Sequence, residues 1–237
     1  MSVVASYGQF CPVAMASELL CSRWTPLIVR EFLCGSRRFN DLRRGLPRIS
    51  PALLSKRLKE LEGIGLIERV GECGSEYQLT PAGEATRPII MALGFWAQSW
   101  VDSEVSLRNL DPTLLMWDMR RSLNVTEMPE DRRVIQFVYP DLAPNKQNHW
   151  LIVDGPLVDL CYVDPGFDID LLVECALRTM TMIWMGLTSI EAEQRAGRLL
   201  IEGDRELSRS MRSWLGLSSF AGTPRRSFEA VRLAAAM

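Results

Sequence analysis

Ser55, Lys56, Arg57 and Lys59 lie interleaved with leucines at 54, 58 and 61, and this mixture of short polar and cationic side chains suits contact with a polyanion. The segment that carries them reads as a helix. Ser50 can accept hydrogen bonds from the first unpaired backbone donors, and Pro51 suits the first helical position, where its missing N–H costs nothing. At about 100° per residue, Leu54, Leu58 and Leu61 share one face, while Ala52, Lys56 and Lys59 lie opposite and Ser55 flanks them. A helix entering a DNA major groove needs such an outer surface, because small residues permit close approach and lysines meet phosphates or guanine acceptors. Arg57 lies nearer the apolar seam and either pairs with a carboxylate or reaches a phosphate at the groove edge. A merely solvated helix face would show the same pattern, so the neighbourhood decides. Between Arg23 and Arg69 there are eleven Lys/Arg, Arg37 and Arg38 among them, against five acids, a local excess of six in a chain of net charge −2. Positive charge confined to one short region points to polyanion binding by that region alone.

The remaining reactive groups exclude more than they suggest. Six cysteines form no C-x-x-C pair and His149 is the only histidine, which argues against a zinc site or imidazole catalysis. There is no nucleophile motif, and carboxylates such as those from Asp164 to Asp170 fall in turns, so no acid and base stand together. The chain therefore reads as a non-enzyme with no metal and no cofactor, and most of its cysteines suit small buried positions. At 237 residues and 47% hydrophobic it can bury a full core, in one large or two small domains. The charge asymmetry favours two. No charged leader with an apolar core opens the chain, and no apolar run approaches the ~20 residues that span a bilayer. The expected setting is the cytoplasm, without membrane contact.

Four helix starts show a capping residue followed by proline: Thr25-Pro26, Ser50-Pro51, Thr80-Pro81 and Asp111-Pro112. A helix over 13–21, another over 26–33 and a short one over 39–44 precede the helix that begins at Pro51. Glycines at 63 and 65 stop that helix, and alternating strands at 66–70 and 76–79 flank a turn at Gly71 to Ser75. Three helices and a β-hairpin make a winged helix-turn-helix. From Pro81 one long apolar helix is expected through Ile89, Ile90, Leu93, Trp96 and Trp100, and its surplus apolar face asks for a second copy. Beyond residue 110 the chain turns acidic and strand-rich. Strands are expected at 133–139, 149–153, 157–162 and 171–175, then a helix at 176–185, a capping box of Thr188 with Glu191, a strand and turn over 198–204 and a last helix capped by Asp204. The domain division that follows is 1–105, 106–220 and a tail at 221–237.

These residues carry a resemblance. Cys11-Pro12-Val13, Leu19-Leu20-x-x-Arg23-Trp24-Thr25, Arg38-Phe39-x-x-Leu42, Ile49-Ser50-x-x-x-Leu54-x-x-x-Leu58-x-x-Leu61, Gly65-Leu66-Ile67-x-Arg69 and Glu76-Tyr77-x-Leu79-Thr80-x-x-Gly83 together resemble the HxlR family of bacterial transcriptional regulators. The resemblance implies a homodimer that reads a two-fold symmetric, double-stranded DNA operator, with the long last helix in the dimer interface. The wing departs from the family pattern. Gly71-Glu72-Cys73-Gly74-Ser75 is short, lacks the family's prolines and carries an acid, so Arg69 at its base is a better contact than its tip. In some members a cysteine just before the first helix responds to electrophiles or oxidants, and Cys11 holds that place; a helix N-terminus lowers a thiol's pKa. The alternative for Cys11 is a packing role at a domain edge.

Residues from about 110 to 220 resemble the sterol carrier protein type-2 fold, an α+β lipid-binding domain, through Leu177 to Leu187, Ala192 to Gly197, Leu199 to Asp204 and Trp214-Leu215. The fold class expected is thus α+β, a winged helix-turn-helix followed by a sterol-carrier-like domain. By resemblance, Trp117, Trp150, Met182 and Trp184 could line an apolar effector cavity between sheet and helices, although such bulk also serves to fill an ordinary core. Two functions remain. One is a DNA-binding regulator, with Arg37, Arg38, Ser50, Pro51, Ser55, Lys56, Arg57, Lys59 and Arg69 as the contact set, modulated by an apolar ligand or by thiol modification. The other is a lipid or hydrophobic small-molecule carrier whose winged helix serves protein contacts. The wheel favours the first, because a protein-contact helix would turn apolar residues outward.

Overall fold

The computed structural model describes residues 6–226, so the last part of the expected tail, 227–237, lies outside the described residues. Two compact units divide between Leu93 and Gly94. In the first, α1 (Pro12–Leu20), α2 (Thr25–Leu33), α3 (Phe39–Gly45) and α4 (Pro51–Gly63) precede an antiparallel hairpin of β1 (Ile67–Val70) and β2 (Glu76–Leu79), then α5 (Pro81–Glu84) and the start of α6 (Arg87–Trp100). Leu54, Leu58 and Leu61 of α4 are buried with Ile28 and Phe32 of α2, Leu42 of α3 and Ile67 of β1 in one apolar cluster. The apolar face read from the sequence is therefore the face that packs.

Two expectations in this unit are corrected. The second helix is capped by Trp24 rather than Thr25, with Trp24 in the left-handed region at φ 78°. The single long helix from Pro81 is broken between Glu84 and Arg87. Pro88 explains the break: it has no N–H to give, and its ring conflicts with the carbonyl four residues back. Thr86 stabilises the corner by donating its hydroxyl to the Gly83 carbonyl at 2.6 Å. Gly83 must be glycine, since a Cβ there would fall on the Leu66 carbonyl.

A buried carboxylate locks α2 to α3. Glu31 accepts from Arg30 at 2.5 Å and from the Ser36 hydroxyl at 3.0 Å, and Arg30 also donates to the Gly45 carbonyl at 3.1 Å. Glu31 is fully buried, so the charge has been taken out of water and depends on these partners. A Cβ at Gly45 would land on that carboxylate. Gly45→Ala is therefore expected to destabilise the first unit by about 1–3 kcal/mol through overpacking, read as a lower urea midpoint at unchanged slope; wild-type stability would refute the packing account.

The second unit holds the rest of α6, then α7 (Ser103–Leu107), which the sequence reading did not anticipate, and α8 (Pro112–Ser122). β3 (Arg133–Val138), β4 (Asn148–Asp154), β5 (Leu157–Cys161) and β6 (Leu171–Cys175) follow, then α9 (Leu177–Trp184), α10 (Ile190–Arg195), β7 (Leu199–Gly203) and α11 (Arg205–Trp214). The five strands lie in the order β5-β4-β3-β6-β7, antiparallel except for the β3–β6 pair. Ile135, Phe137, Leu151, Val173 and Cys175 face one way and bury themselves with Leu115, Met116 and Met119 of α8, Met180 and Ile183 of α9, and Met211 and Trp214 of α11. This is an α+β layer with its own core. α10 is capped by Ser189, whose side chain accepts from Ala192 N, rather than by Thr188. Thr188 instead donates to Glu193 at 2.6 Å, a buried carboxylate also held by Arg198.

The chain after α11 returns to α6. Phe220 meets Phe95 edge-on at 5.2 Å between centroids, over Gly94, where a Cβ would strike the Phe220 ring. Arg226 N donates to the Ser99 carbonyl at 2.8 Å and Arg225 to that of Val101 at 3.0 Å. These donors satisfy carbonyls that the end of a helix leaves without partners.

Candidate nucleic-acid interface

The start of α4 is as its sequence dictates: the Ser50 side chain accepts from Leu53 N at 3.3 Å, and Pro51 takes the first helical position. Pro51, Ala52, Ser55, Lys56 and Lys59 are all exposed. The large apolar residues of α4 are not: Leu53 is half-buried, and Leu54, Leu58 and Leu61 are buried. The outer face is thus small, polar and positive, the surface a groove-binding helix needs.

The flanking arginines are less available than their types suggest. Arg57 pairs with Glu60 at 2.7 Å and is half-buried, so in the free chain it meets a carboxylate, the first of its two alternatives. Lys56 stands 3.9 Å from the same Glu60, so its hold there is weak. Arg38 pairs with Glu76 on β2 at 2.9 Å, and Arg37 donates to Gln78 at 3.3 Å. The Arg37 carbonyl accepts from Tyr77 N at 2.8 Å, so the segment between α2 and α3 is stitched to the hairpin by main chain and side chain together. Arg69 lies 3.4 Å from Glu62 and over the Tyr77 ring at 5.1 Å. Sequence reasoning missed these acidic partners, Glu60, Glu62, Glu76 and the amide of Gln78. Only the three-residue spacing of Arg57 and Glu60 was readable beforehand.

Cys11 is the N-cap residue of α1, and its carbonyl accepts from Met15 N at 3.1 Å. Hydrogen bonds from the Ala14 and Val13 backbone hold its thiol below the ordinary cysteine range. Its side chain is partly accessible, so a thiolate there can meet a reagent in solution.

The four residues expected to line an apolar cavity do not gather on one face. Strand alternation turns Trp150 away from Leu151, onto the sheet face opposite the core cluster. Trp184 packs against that cluster, with its buried Nε1 meeting no partner among the described residues. Trp117 is buried beneath the Arg120 guanidinium, 5.0 Å from its ring, and Met182 is half-buried on α9.

Among the described residues no helix is long and apolar enough to cross a membrane. Residues 19–105 match the family described as HxlR-like helix-turn-helix. The chain is 40% identical over 100 residues to the uncharacterized HTH-type transcriptional regulator YvaP of Bacillus subtilis (strain 168), covering 40% of this chain and 93% of that protein. It is 34% identical over 101 residues to the uncharacterized HTH-type transcriptional regulator sll1512 of Synechocystis sp., covering 41% of this chain and 75% of that protein. Among solved structures, quinone-bound YodB from B. subtilis shares 35% identity over 37% of this chain and 96% of its own, with a TM-score of 0.33. With almost the whole of one relative matched at 40% identity and the helix-turn-helix elements in place, the chain belongs to the HxlR-like helix-turn-helix family of transcriptional regulators.

Proposed function

We propose that this regulator binds a palindromic DNA operator as a homodimer in the cytoplasm, with α4 of each copy in successive major grooves. The observation that carries the reading is the outer face of α4, where Ala52, Ser55, Lys56 and Lys59 are exposed while Leu54, Leu58 and Leu61 are buried and Leu53 is half-buried. A helix used for protein contacts would present apolar side chains there, which weighs against the carrier alternative. Dimerisation is supported by α6, on which Ile89, Leu93 and Trp96 form an exposed stripe at helical spacing. The test is a footprint on a selected duplex: a dimer protects two patches ~34 Å apart on one face of the DNA. Protection of a single half-site by a monomer would refute the arrangement.

Cys11 tunes that binding. A thiol whose pKa is lowered at a helix start reacts faster than an ordinary one at neutral pH, because the thiolate is the nucleophile. The rate of Cys11 alkylation by iodoacetamide is expected to rise with pH and level off below the range of an ordinary cysteine, the sign that follows from a lowered pKa. Cys11→Ser should keep operator affinity but lose any response to quinones or peroxide. An equal response in variant and parent would return Cys11 to a packing role. The C-terminal unit, sterol-carrier-like in its order of elements, is proposed as the effector part, and Trp184 beside its core is where an apolar ligand would be felt.

A further inference from the structure

α11 turns Leu207, Met211 and Trp214 into the core of the second unit. The same helix presents Arg205, Arg209 and Arg212 to solvent at positions i, i+4 and i+7, within about 60° of one another around its axis. Because packing fixes the apolar side, the arginine side can only face outward. Arg205 and Arg209 form no ion pair among the described residues. Arg212, whose side chain is 83% exposed, lies 3.7 Å from Glu191 at the start of α10, a weak surface pair. Arg195 extends the row from α10, its Nε donating to the Glu191 carbonyl at 3.2 Å.

Few acids are placed to neutralise this row. Glu206 flanks it as the one acid of α11. Asp204 is engaged by the helix start, where it accepts from Glu206 N at 2.7 Å and Leu207 N at 2.9 Å. Glu202 alternates with Ile201 on β7, so it leaves the sheet on the face opposite the helices. Charge is segregated along the unit: from Glu127 to Glu174 ten acids stand against three Lys/Arg, whereas from Arg195 to Arg212 five arginines stand against three acids. A face that serves solubility alone carries both signs interspersed. What the row lacks narrows its partner. α11 exposes no apolar side chain, whereas a protein partner takes its energy from aromatic or aliphatic anchors and a lipid surface needs an apolar face to enter it. Arginine with serine is instead a combination that meets phosphate oxygens, and Ser208 and Ser213 flank the arginines. The row is about 10 Å long, a span over which one DNA strand presents roughly three phosphates. The family match ends at residue 105, so contacts from α11 add to those of the helix-turn-helix.

We propose that α11 is a second DNA-contacting surface, its arginine row holding the phosphate backbone of the duplex beyond the base pairs that α4 reads. The inference rests on the reading that the chain binds a DNA operator, and adds to it a sequence-independent hold on the flanking duplex.

Anisotropy of the full chain across a salt series tests it, on a selected operator with about half a turn of flanking duplex on each side and on the same operator with about two turns. The combined variant Arg205→Gln, Arg209→Gln, Arg212→Gln is expected to lower the salt slope on the long duplex by about two or more. Binding there should weaken about fortyfold or more near 0.15 M salt, if affinity at 1 M is unchanged. On the short duplex the variant should match the parent, and its unfolding midpoint should not move, because all three side chains are exposed. Lysine at the same three positions should keep the slope, since counterion release follows charge. Equal behaviour of parent and glutamine variant on the long duplex, or equal losses on both duplexes, would overturn the inference. So would a glutamine variant that keeps the long duplex but loses binding to phosphatidylglycerol vesicles, which would make the row a lipid contact. If the short duplex depends on Lys56 and Lys59 while the arginine effect is absent, the operator reading stands and only this inference falls; a parent that binds neither duplex removes both.

Discussion

Alanine at both Lys56 and Lys59 takes four cationic contacts from a homodimer, and is expected to reduce the slope of log affinity against log salt by between about three and four and to weaken duplex binding roughly a thousandfold near 0.15 M salt, if affinity at 1 M is unchanged. Each phosphate contact displaces condensed counterions, so losing a contact shows in the slope before it shows in base preference. The two lysines are chosen because they are exposed and, among the described residues, only Lys56 has a carboxylate near it, at the outer limit of an ion pair. Arg37 and Arg38 should behave differently. Their guanidinium groups are engaged by Gln78 and Glu76, and Arg38→Ala also releases the Glu76 carboxylate toward the same surface. Their removal is expected to disturb the hairpin's attachment as well as the charge. Filter binding or anisotropy on a non-specific duplex and on a selected operator distinguishes these effects. A salt slope unchanged by the double lysine variant would sink the placement of α4 in the groove.

Trp214→Ala is expected to cost the second unit about 3–5 kcal/mol, a large part of the 5–15 kcal/mol that holds a typical domain together. Trp214 is fully buried, donates from Nε1 to the Leu207 carbonyl at 2.9 Å, and through its own carbonyl accepts from Asn124 N and Gly216 N. Substitution therefore opens a cavity and leaves the Leu207 carbonyl without its donor. Because the two cores share no side chain, the variant should unfold in two steps, with the sheet unit melting first. A DNA-binding signal that persists after the near-ultraviolet signal of the sheet unit is lost would show this. A single cooperative transition for both would refute the independence of the cores.

Much of the fold was legible because short-range rules governed it. Ser50, Thr80, Asp111 and Asp204 all cap where expected, since a side-chain oxygen before a proline or an apolar run has few other uses. The strands of the sheet fell within a residue or two of their expected bounds, because β-branched and apolar alternation was bracketed by Pro140, Gly155 and Gly166 turns. Failures arose where a local choice depended on a distant or competing partner. Pro88 lay inside a convincing apolar stripe and broke it. Ser189 outcompeted Thr188 as a cap once Glu193, buried against Arg198, claimed the Thr188 hydroxyl. At the interface, the exposed lysines could be read from a helical wheel, but the acids holding Arg38 and Arg69 could not, since their pairing crosses from one element to another. The resemblance to the sterol carrier fold could not show which sheet face Trp150 takes, since that depends on strand parity, which turns it away from the core cluster.

The seat of Phe220 on Gly94 has a consequence for the order in which the chain is made. Domains tend to fold as they leave the ribosome, the earlier one first. The helix-turn-helix core is complete once residue 79 has emerged, but the carbonyl of Val101 waits for Arg225, a partner 124 residues further along. Until the segment that carries Phe220 has been made, Phe95 lacks the ring that packs on it, beside the Ile89, Leu93 and Trp96 stripe that stays exposed. The nascent chain thus carries this helix less covered until the segment beyond α11 is made, and a truncation before Phe220 would leave the Phe95 ring without its cover.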